Sequence, residues 1–458
     1  MVADAADGQR AIVGVSSRGP FNTPLSFSDP TQVVVKLGTG PLATALVWQL
    51  SRAGGTVIGV RSAADIAGAI EADVNNPAQV VGVGGAPLET LDLVVTITDD
   101  GLVGASAFTY SLDGGDTVSQ PFATAAVFEI PGTGVTLAFT SLTPYVLGAT
   151  YRYTVSAPEA NVGNVQTAVR ALLDTTMLFE YVHVAQGADN GVWAVLAALR
   201  EEAVAKGRRI FMIAETDRPG SDPDVWVQNL LAQKELFSSD WVLLCAGAME
   251  VVDPITGQLR VQNMAHELGS RLSRSRVSEN PGWVQRGPIQ GALVAAPFKE
   301  SEFGKQPLYN NGHALTLDTA GFTTIYQVPN RSGYYFVDGR MSAEATSDFK
   351  SVTNVRVLNK AVTLVEAGLA DHVQEAVDPQ ELEVSLAALV ADAEAPLRLM
   401  AANRDISGGR VIIPAGQDVL SSRTLLVDVR IVPYGHLREI GLRIGLENPY
   451  LYREELAR

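Results

Sequence analysis

Apolar and polar positions alternate with a period of two near the end of the chain. Between Leu425 and Leu446, Val427, Val429 and Ile431 share one face of an extended segment while Asp428 and Arg430 share the other. Beyond Pro433, Ile440, Leu442, Ile444 and Leu446 alternate with Gly441, Arg443, Gly445 and Glu447. Two strands about a proline turn are predicted, and they either close the protein's own core or supply a strand to a neighbouring subunit. At the other end, residues 11–16 (AIVGVS), with Ile12, Val13 and Val15, read as a short apolar strand cut off by Gly19-Pro20. Strand-like segments at both ends suit exchange between subunits through edge pairing.

Between the ends the period changes twice. Leu42, Leu46, Val47 and Leu50 stand at helical spacing behind Pro41, which suits a first helical turn, and Gly54-Gly55 stops that helix. A buried strand at 56–61 (TVIGVR) and an alanine-rich helix at 63–72 are predicted next. From 88 to 158 the helical period vanishes: short alternating segments bounded by Gly, Pro or Asp indicate a small β-sandwich or barrel. Helical patterning returns at Val165, Val169, Leu172 and Leu173, followed by strands at 181–185, 210–214 and 241–245 and helices at 192–205 and 225–236. That alternation implies βαβ units and a mostly parallel sheet. With helical pattern on both sides, the β-module reads as an insertion whose ends lie close together. A helix over 263–277 follows, then irregular chain, strands at 315–317, 323–327 and 334–337, and helices at 349–367 and 380–393. The predicted class is α/β (α+β multidomain): a mixed sheet core with an inserted β-sandwich-like module and a C-terminal α+β domain ending in exchanged strands. The expected units are an N-terminal arm (1–20), a discontinuous α/β domain (21–87 and 159–335), the module (88–158), a C-terminal domain (336–436) and a C-terminal arm (437–458).

Composition narrows the partners. The 458 residues are 47% hydrophobic, enough for several domains, and the formal net charge of −16 opposes a nucleic-acid backbone or an anionic membrane surface as partner. Residues 1–10 lack the basic start and apolar core of a signal peptide, and no run reaches the roughly 18 apolar residues of a membrane span, so no membrane insertion is expected. The single cysteine, Cys245, sits in an apolar run and reads as a buried thiol of a reducing compartment. The Asn330-Arg331-Ser332 sequon carries no function in that setting. Arg260, Arg271, Arg274 and Arg276 form a local basic patch that is either a solvated face or a contact for an acidic neighbour.

Catalytic and ligand-binding signals fail one by one. GTGP at 38–41 lacks the lysine of a phosphate loop, and DGGD at 113–116 is a hairpin turn without an EF-hand ligand ladder. The histidines His183, His266, His313, His372 and His436 are scattered along the chain, and His266-Glu267 has Ser270 where HExxH needs its second histidine. No GxSxG elbow is present. No catalytic residue, metal or cofactor is expected. The competing reading is an α/β hydrolase or nucleotide-binding enzyme with an appended β ligand-binding module.

Four stretches taken together resemble the contractile-tail sheath proteins of myophages and phage-tail-like injection systems, nearest the Mu-like group. They are AIVGVSSRGPFNTP (11–24), AGGTVIGVR (53–61), GYYFVDGRMSAEATSDFKSVTNVRVLNKA (333–361) and VDVRIVPYGHLREIGLRIGL (427–446). The resemblance implies a homo-oligomer of hexameric rings stacked into a helical sheath around an inner tail tube, with baseplate and tail terminator proteins as further partners. It also implies a virion-tail or injection-particle location after assembly in the host cytoplasm. N- and C-terminal arms would add strands to neighbours' sheets, through Ile12, Val13 and Val15 at one end and Ile440, Leu442, Ile444 and Leu446 at the other. The C-terminal domain would face the tube, with Lys350, Arg356, Lys360 and Glu366 as charged candidates.

Overall fold

Five consecutive buried residues, Arg10–Gly14, make strand β1, and a run without polar alternation is what a strand covered on both faces requires. The computed structural model describes residues 7–78, 81–140, 142–217, 222–257, 259–289, 309–376, 382–414, 416–438, 440, 443 and 445. After β1 come β2 (Leu25–Phe27), helix α1 (Pro30–Leu37), helix α2 (Pro41–Ala53) and β3 (Val57–Arg61). Asp29 caps α1 by accepting from the Thr31 amide. Pro41 opens α2, and Gly54, at φ 63°, closes it in the left-handed region.

The chain leaves this unit at Ile66, whose amide and carbonyl pair with Glu159 at 3.1 and 3.0 Å. Between these residues lie β4 (Ile70–Ala72), β5 (Val81–Gly85), β6 (Leu91–Asp99), β7 (Ala107–Ser111), β8 (Phe122–Ala123), β9 (Phe128–Glu129), β10 (Val135–Phe139) and β11 (Thr150–Val155). They form a five-stranded sheet, β4-β11-β6-β7-β8, and a three-stranded sheet, β5-β10-β9. Leu93, Val95, Phe108 and Tyr151 from the first meet Val81, Leu137 and Phe139 from the second in one core, so the module is a sandwich. The expected turn at 113–116 is present: the Asp113 carboxylate accepts from the Ser111 hydroxyl and from the Asp116 and Thr117 amides, while Gly114 and Gly115 take positive φ.

From Glu159 the chain resumes as α3 (Val162–Leu173), β12 (Tyr181–Gly187), α4 (Asn190–Ala205), β13 (Phe211–Glu215), α5 (Pro223–Lys234) and β14 (Val242–Cys245). A hairpin, β15 (Ala248–Val252) and β16 (Leu259–Asn263), precedes α6 (Ala265–Arg274), α7 (Asn311–Thr319) and β17 (Phe322–Thr323). The main sheet runs β17-β14-β13-β12-β1-β3-β2, parallel except for β2 against β3. One face, carrying Val13, Val184, Met212 and Leu244, packs against α3, α4 and α5; the other, carrying Tyr181, Phe211, Ile213 and Leu243, packs against α6. The hairpin β18 (Ile325–Gln327) and β19 (Tyr334–Phe336) extends that second core.

Helix α8 (Val352–Leu369) then serves two cores. Val352 and Val355 join the core below the main sheet, while Val357, Ala361, Leu364 and Val365 pack with Ala393, Leu397 and Met400 of α9 (Leu382–Ala402). The last strands, β20 (Gly408–Ile412) and β21 (Asp428–Val432), pair antiparallel. Val427, Val429 and Ile431 lie against the α8–α9 core and Asp428 and Arg430 face out, as the alternation predicts.

Several expectations are corrected. Residues 63–72 form no helix, because this is the neck of the module: Asp65 accepts from the Asn161 amide at 2.6 Å, and a Cβ on Gly68 would stand 2.5 Å from the Ser156 carbonyl. The sandwich also begins earlier than residue 88, since β4 and β5 belong to it. Residues 315–317 lie inside α7, where three apolar-leaning residues are too few to distinguish the two periods. β21 pairs with β20, and among the described residues no ladder joins it to chain beyond the proline turn.

Candidate functional site

The seam between the sheet and α8 is closed by ionic contacts. Arg356, 1% exposed, donates from Nε to Glu180 Oε1 at 2.6 Å and from Nη2 to Glu180 Oε2 at 3.1 Å. The same guanidinium reaches the Leu272 and Arg276 carbonyls at 3.0 and 3.2 Å, capping the C-terminal end of α6 where the helix dipole favours a cation. Burial alone would lower the pKa of Arg356, but Glu180 outweighs burial and raises it. The Gly8 amide also donates to Glu180, at 2.7 Å. One turn along α8, Lys360 pairs with Asp405 at 2.7 Å and with Asp7. The start of the described chain is therefore held against the C-terminal helices.

These contacts revise the candidate residues. Arg356 is a core residue and cannot face a tube; its charge was legible in the sequence, its buried partner 176 positions away was not. Lys360 is engaged between two carboxylates in the seam. Lys350 and Glu366 are exposed, Lys350 donating to the Ala345 carbonyl at 3.2 Å and Glu366 pairing with Arg209. Ile12 and Val13, both 0% exposed, sit in β1 with ladders on either side, and Val15 is 5% exposed in the same core. With both edges of β1 occupied, Arg10–Gly14 is a core strand of this chain and not an arm, and Val15 and Ser16 continue from it as buried chain. The basic patch is divided: Arg271 is buried and donates to the Gly287 carbonyl at 2.8 Å, Arg260 is half-buried and pairs with Glu89 at 2.8 Å, and Arg274 and Arg276 are exposed, Arg274 pairing with Glu267 at 3.2 Å.

The C-terminal end differs. The sheet β20-β21 has two strands, so among the described residues each keeps one edge without a ladder. Past β21, His436 reaches the Ser278 carbonyl at 2.9 Å and Arg438 reaches Asp338 at 3.2 Å and Asp318. Leu437 and Ile440 are 89% and 76% exposed, two large apolar side chains without cover among the described residues. Leu442, Ile444 and Leu446 lie outside the described residues.

Three titratable side chains far apart in sequence meet below α6. His183 Nε2 and His266 Nε2 lie 2.8 and 3.0 Å from Glu215 Oε1, all three buried. Burial would raise the Glu215 carboxyl, yet the two imidazoles outweigh it and hold it well below the usual carboxylate range. The sequence signal was one polar residue inside each otherwise apolar strand, YVHVA and FMIAE. Cys245, on the neighbouring strand, is fully buried, and burial pushes its thiol well above the ordinary value, as the expectation of an inert thiol requires. A surface cavity of about 470 Å³ near Lys234, Arg340 and Glu344 has neither histidine nor cysteine among its described lining residues.

Comparison with known proteins places this architecture. A chain of the contracted sheath complex of the extracellular contractile injection system PVC superposes with a TM-score of 0.58 at 9% identity, covering 97% of this chain and 94% of that one. A chain of the anti-feeding prophage (AFP) baseplate gives 0.55 at 11% identity, covering 98% and 95%. A protein of Haemophilus phage HP1 (strain HP1c1), provisionally named a tail sheath protein, is 28% identical over 194 residues, 39% of this chain. The match spans 46% of that relative, less than half its length. Family models described as the DUF2586 N-terminal and C-terminal domains match residues 2–340 and 348–451, with the break falling just before α8. The chain belongs to the DUF2586 family, and its fold is that of the sheath proteins of contractile injection systems.

Proposed function

We propose that this protein is a tail sheath subunit, a structural component and not an enzyme. It polymerises as stacked hexameric rings around an inner tail tube and contracts to drive that tube through a target envelope. The observation that carries the reading is the C-terminal end: exposed Leu437 and Ile440 continue beyond a two-stranded sheet that has open edges. A strand from one subunit, residues 437–447, then adds to the β20–β21 sheet of a neighbour, where main-chain hydrogen bonds give affinity and alternate side chains give register. The joint persists while the bodies rotate as rigid units, because Pro433 to Gly435 lies between strand and body. The fold likeness to the two injection-system assemblies supports the same reading, as does the 6-fold symmetry named for one of them.

In this reading the C-terminal domain, residues 336–436, faces the tube, with Lys350 and Glu366 as the charged candidates that remain exposed. The module between Ile66 and Glu159 projects outward. Baseplate and terminator proteins would bind the two ends of the sheath, and the assembled particle is the site of action. Electron microscopy of the purified full chain should show rings or tubes. A chain truncated after Gly435 should keep its far-ultraviolet circular dichroism and remain monomeric. Tubes formed by the truncated chain, or a full chain that stays monomeric at all concentrations and salt levels, would refute the proposal.

A further inference from the structure

His183, Glu215 and His266 meet on the face of the main sheet beneath α6, beside its topological switch point. The chain runs from β1 outward to β3, then returns to the other side of β1 at β12, which makes the β1–β12 boundary the topological switch point. His183 is on β12, Glu215 ends β13, and α6 lays His266 over both. The ligand atoms, two imidazole Nε2 and a carboxylate oxygen, lie within 4.8 Å of one another.

The outer partners set the tautomers. Gln262 Oε1 stands 3.1 Å from His266 Nδ1, and since that oxygen only accepts, Nδ1 carries the hydrogen and the Nε2 of the neutral ring is bare. A bare Nε2 facing Glu215 Oε1 at 3.0 Å sets two acceptors against each other unless a cation or an added proton lies between them. Gln49 faces His183 the opposite way round, nitrogen first. Its Oε1 is buried without a partner, while its Nε2 stands 3.3 Å from His183 Nδ1. Turning that amide over, which exchanges two atoms of similar size, gives the orphaned oxygen a donor in Nδ1–H and leaves His183 Nε2 bare as well. Both lone pairs then converge on the carboxylate.

We propose that His183 Nε2, His266 Nε2 and a Glu215 carboxylate oxygen bind one divalent transition-metal ion, zinc in type, that pins α6 to β12 and β13. Two imidazoles with one carboxylate favour such an ion over calcium or magnesium, which take oxygen ligands. Tetrahedral ligation at ~2.0–2.1 Å sets ligand atoms roughly 3.3 Å apart, so the present spacings of 2.8 and 3.0 Å need only small outward movements. Water completes the coordination. The proposal stands apart from the sheath reading, since a protein of any function would bind the ion.

The test uses the untagged full-length chain, stripped with a chelator and titrated with Co²⁺ and then Zn²⁺. Expected are about one Co²⁺ per chain with a ligand-field band in the visible, displacement by Zn²⁺, and a Tm that climbs with Zn²⁺ concentration by mass action. His266→Gln should lose the band and the Tm response, whereas His372→Gln, on the surface, should keep both. Failure of the intact chain to bind either ion stoichiometrically, binding unchanged in His266→Gln, or binding lost in His372→Gln overturns the proposal. If His266→Gln does not fold, the titration of the intact chain decides alone.

Discussion

Arg356 shows how far a residue's role depends on a partner that spacing does not reveal. Removing it strands Glu180, 6% exposed, without its main counter-charge, so Arg356→Ala is expected to cost about 3–5 kcal/mol in chemical denaturation. A charge on a solvated, tube-facing surface would cost under about 0.5 kcal/mol, and Arg356→Met combined with Glu180→Gln should recover part of the loss. Glu366→Gln, on the exposed side of α8, removes only a surface pair with Arg209 and should leave the denaturation midpoint nearly unchanged. Tyr153 makes a prediction in pH. Burial, reinforced by Tyr151 and Tyr145, raises its phenol from 10.0 to about 12, and its hydroxyl donates to the Val81 carbonyl at 2.6 Å. Because the folded pKa exceeds the unfolded one, this contribution is complete below pH 10 and disappears as pH rises toward about 12. Near-ultraviolet circular dichroism should report loss of the module's aromatic packing in that window, and Tyr153→Phe should move the loss to higher pH. Side-chain chemistry of this kind was the least legible level in the sequence, since Glu180 and Arg356, or His183, Glu215 and His266, come together only through the fold.

Elements were more legible than their neighbours. Proline and glycine punctuation located α2 at both ends, and the strands 181–187, 211–215 and 242–245 follow the apolar runs that predicted them. Misplacement arose where a short segment lacked a decisive period. AIVGVS was read correctly as a strand, but its unbroken apolar character belongs to a central parallel strand, whereas an edge or arm strand exposes every other residue. Val13→Pro should therefore unfold the body, through a lost ladder donor in a strand paired on both sides, and not leave a folded chain that fails to polymerise. Thermal melts separate the two outcomes. At the α8–α9 contact, a Cβ on Gly368 would stand 3.0 Å from the Asp392 carbonyl, four residues before Pro396, which has no amide to donate to it. Gly368→Val should force the helices apart and lower stability by about 1–3 kcal/mol.

On the scale of the molecule, the sequence disclosed a module inserted in an α/β body, and the paired Ile66 and Glu159 show why so large an insertion is tolerated: the chain leaves and re-enters the body at one narrow neck, with the Arg260–Glu89 ion pair as a further contact. Deleting 67–158 should leave a folded protein that still polymerises, with thinner tubes by electron microscopy; a folded protein that cannot polymerise would make the module an assembly element. What the sequence could not disclose is which strand completes which sheet, because hydrophobic alternation fixes a face and leaves the partner open. The position of β1 has a mechanical consequence. A pull applied through residue 7 runs along β1 and loads its ladders to β3 and β12 in shear, five registered residues on each side sharing the force at once. The hairpin β20–β21, peeled from its open end, would yield one bond at a time. Tension on a lattice of such subunits would thus concentrate at the C-terminal joints and spare the bodies, so that optical-tweezer traces should show low, stepwise yielding there before a single high-force rupture of the main sheet.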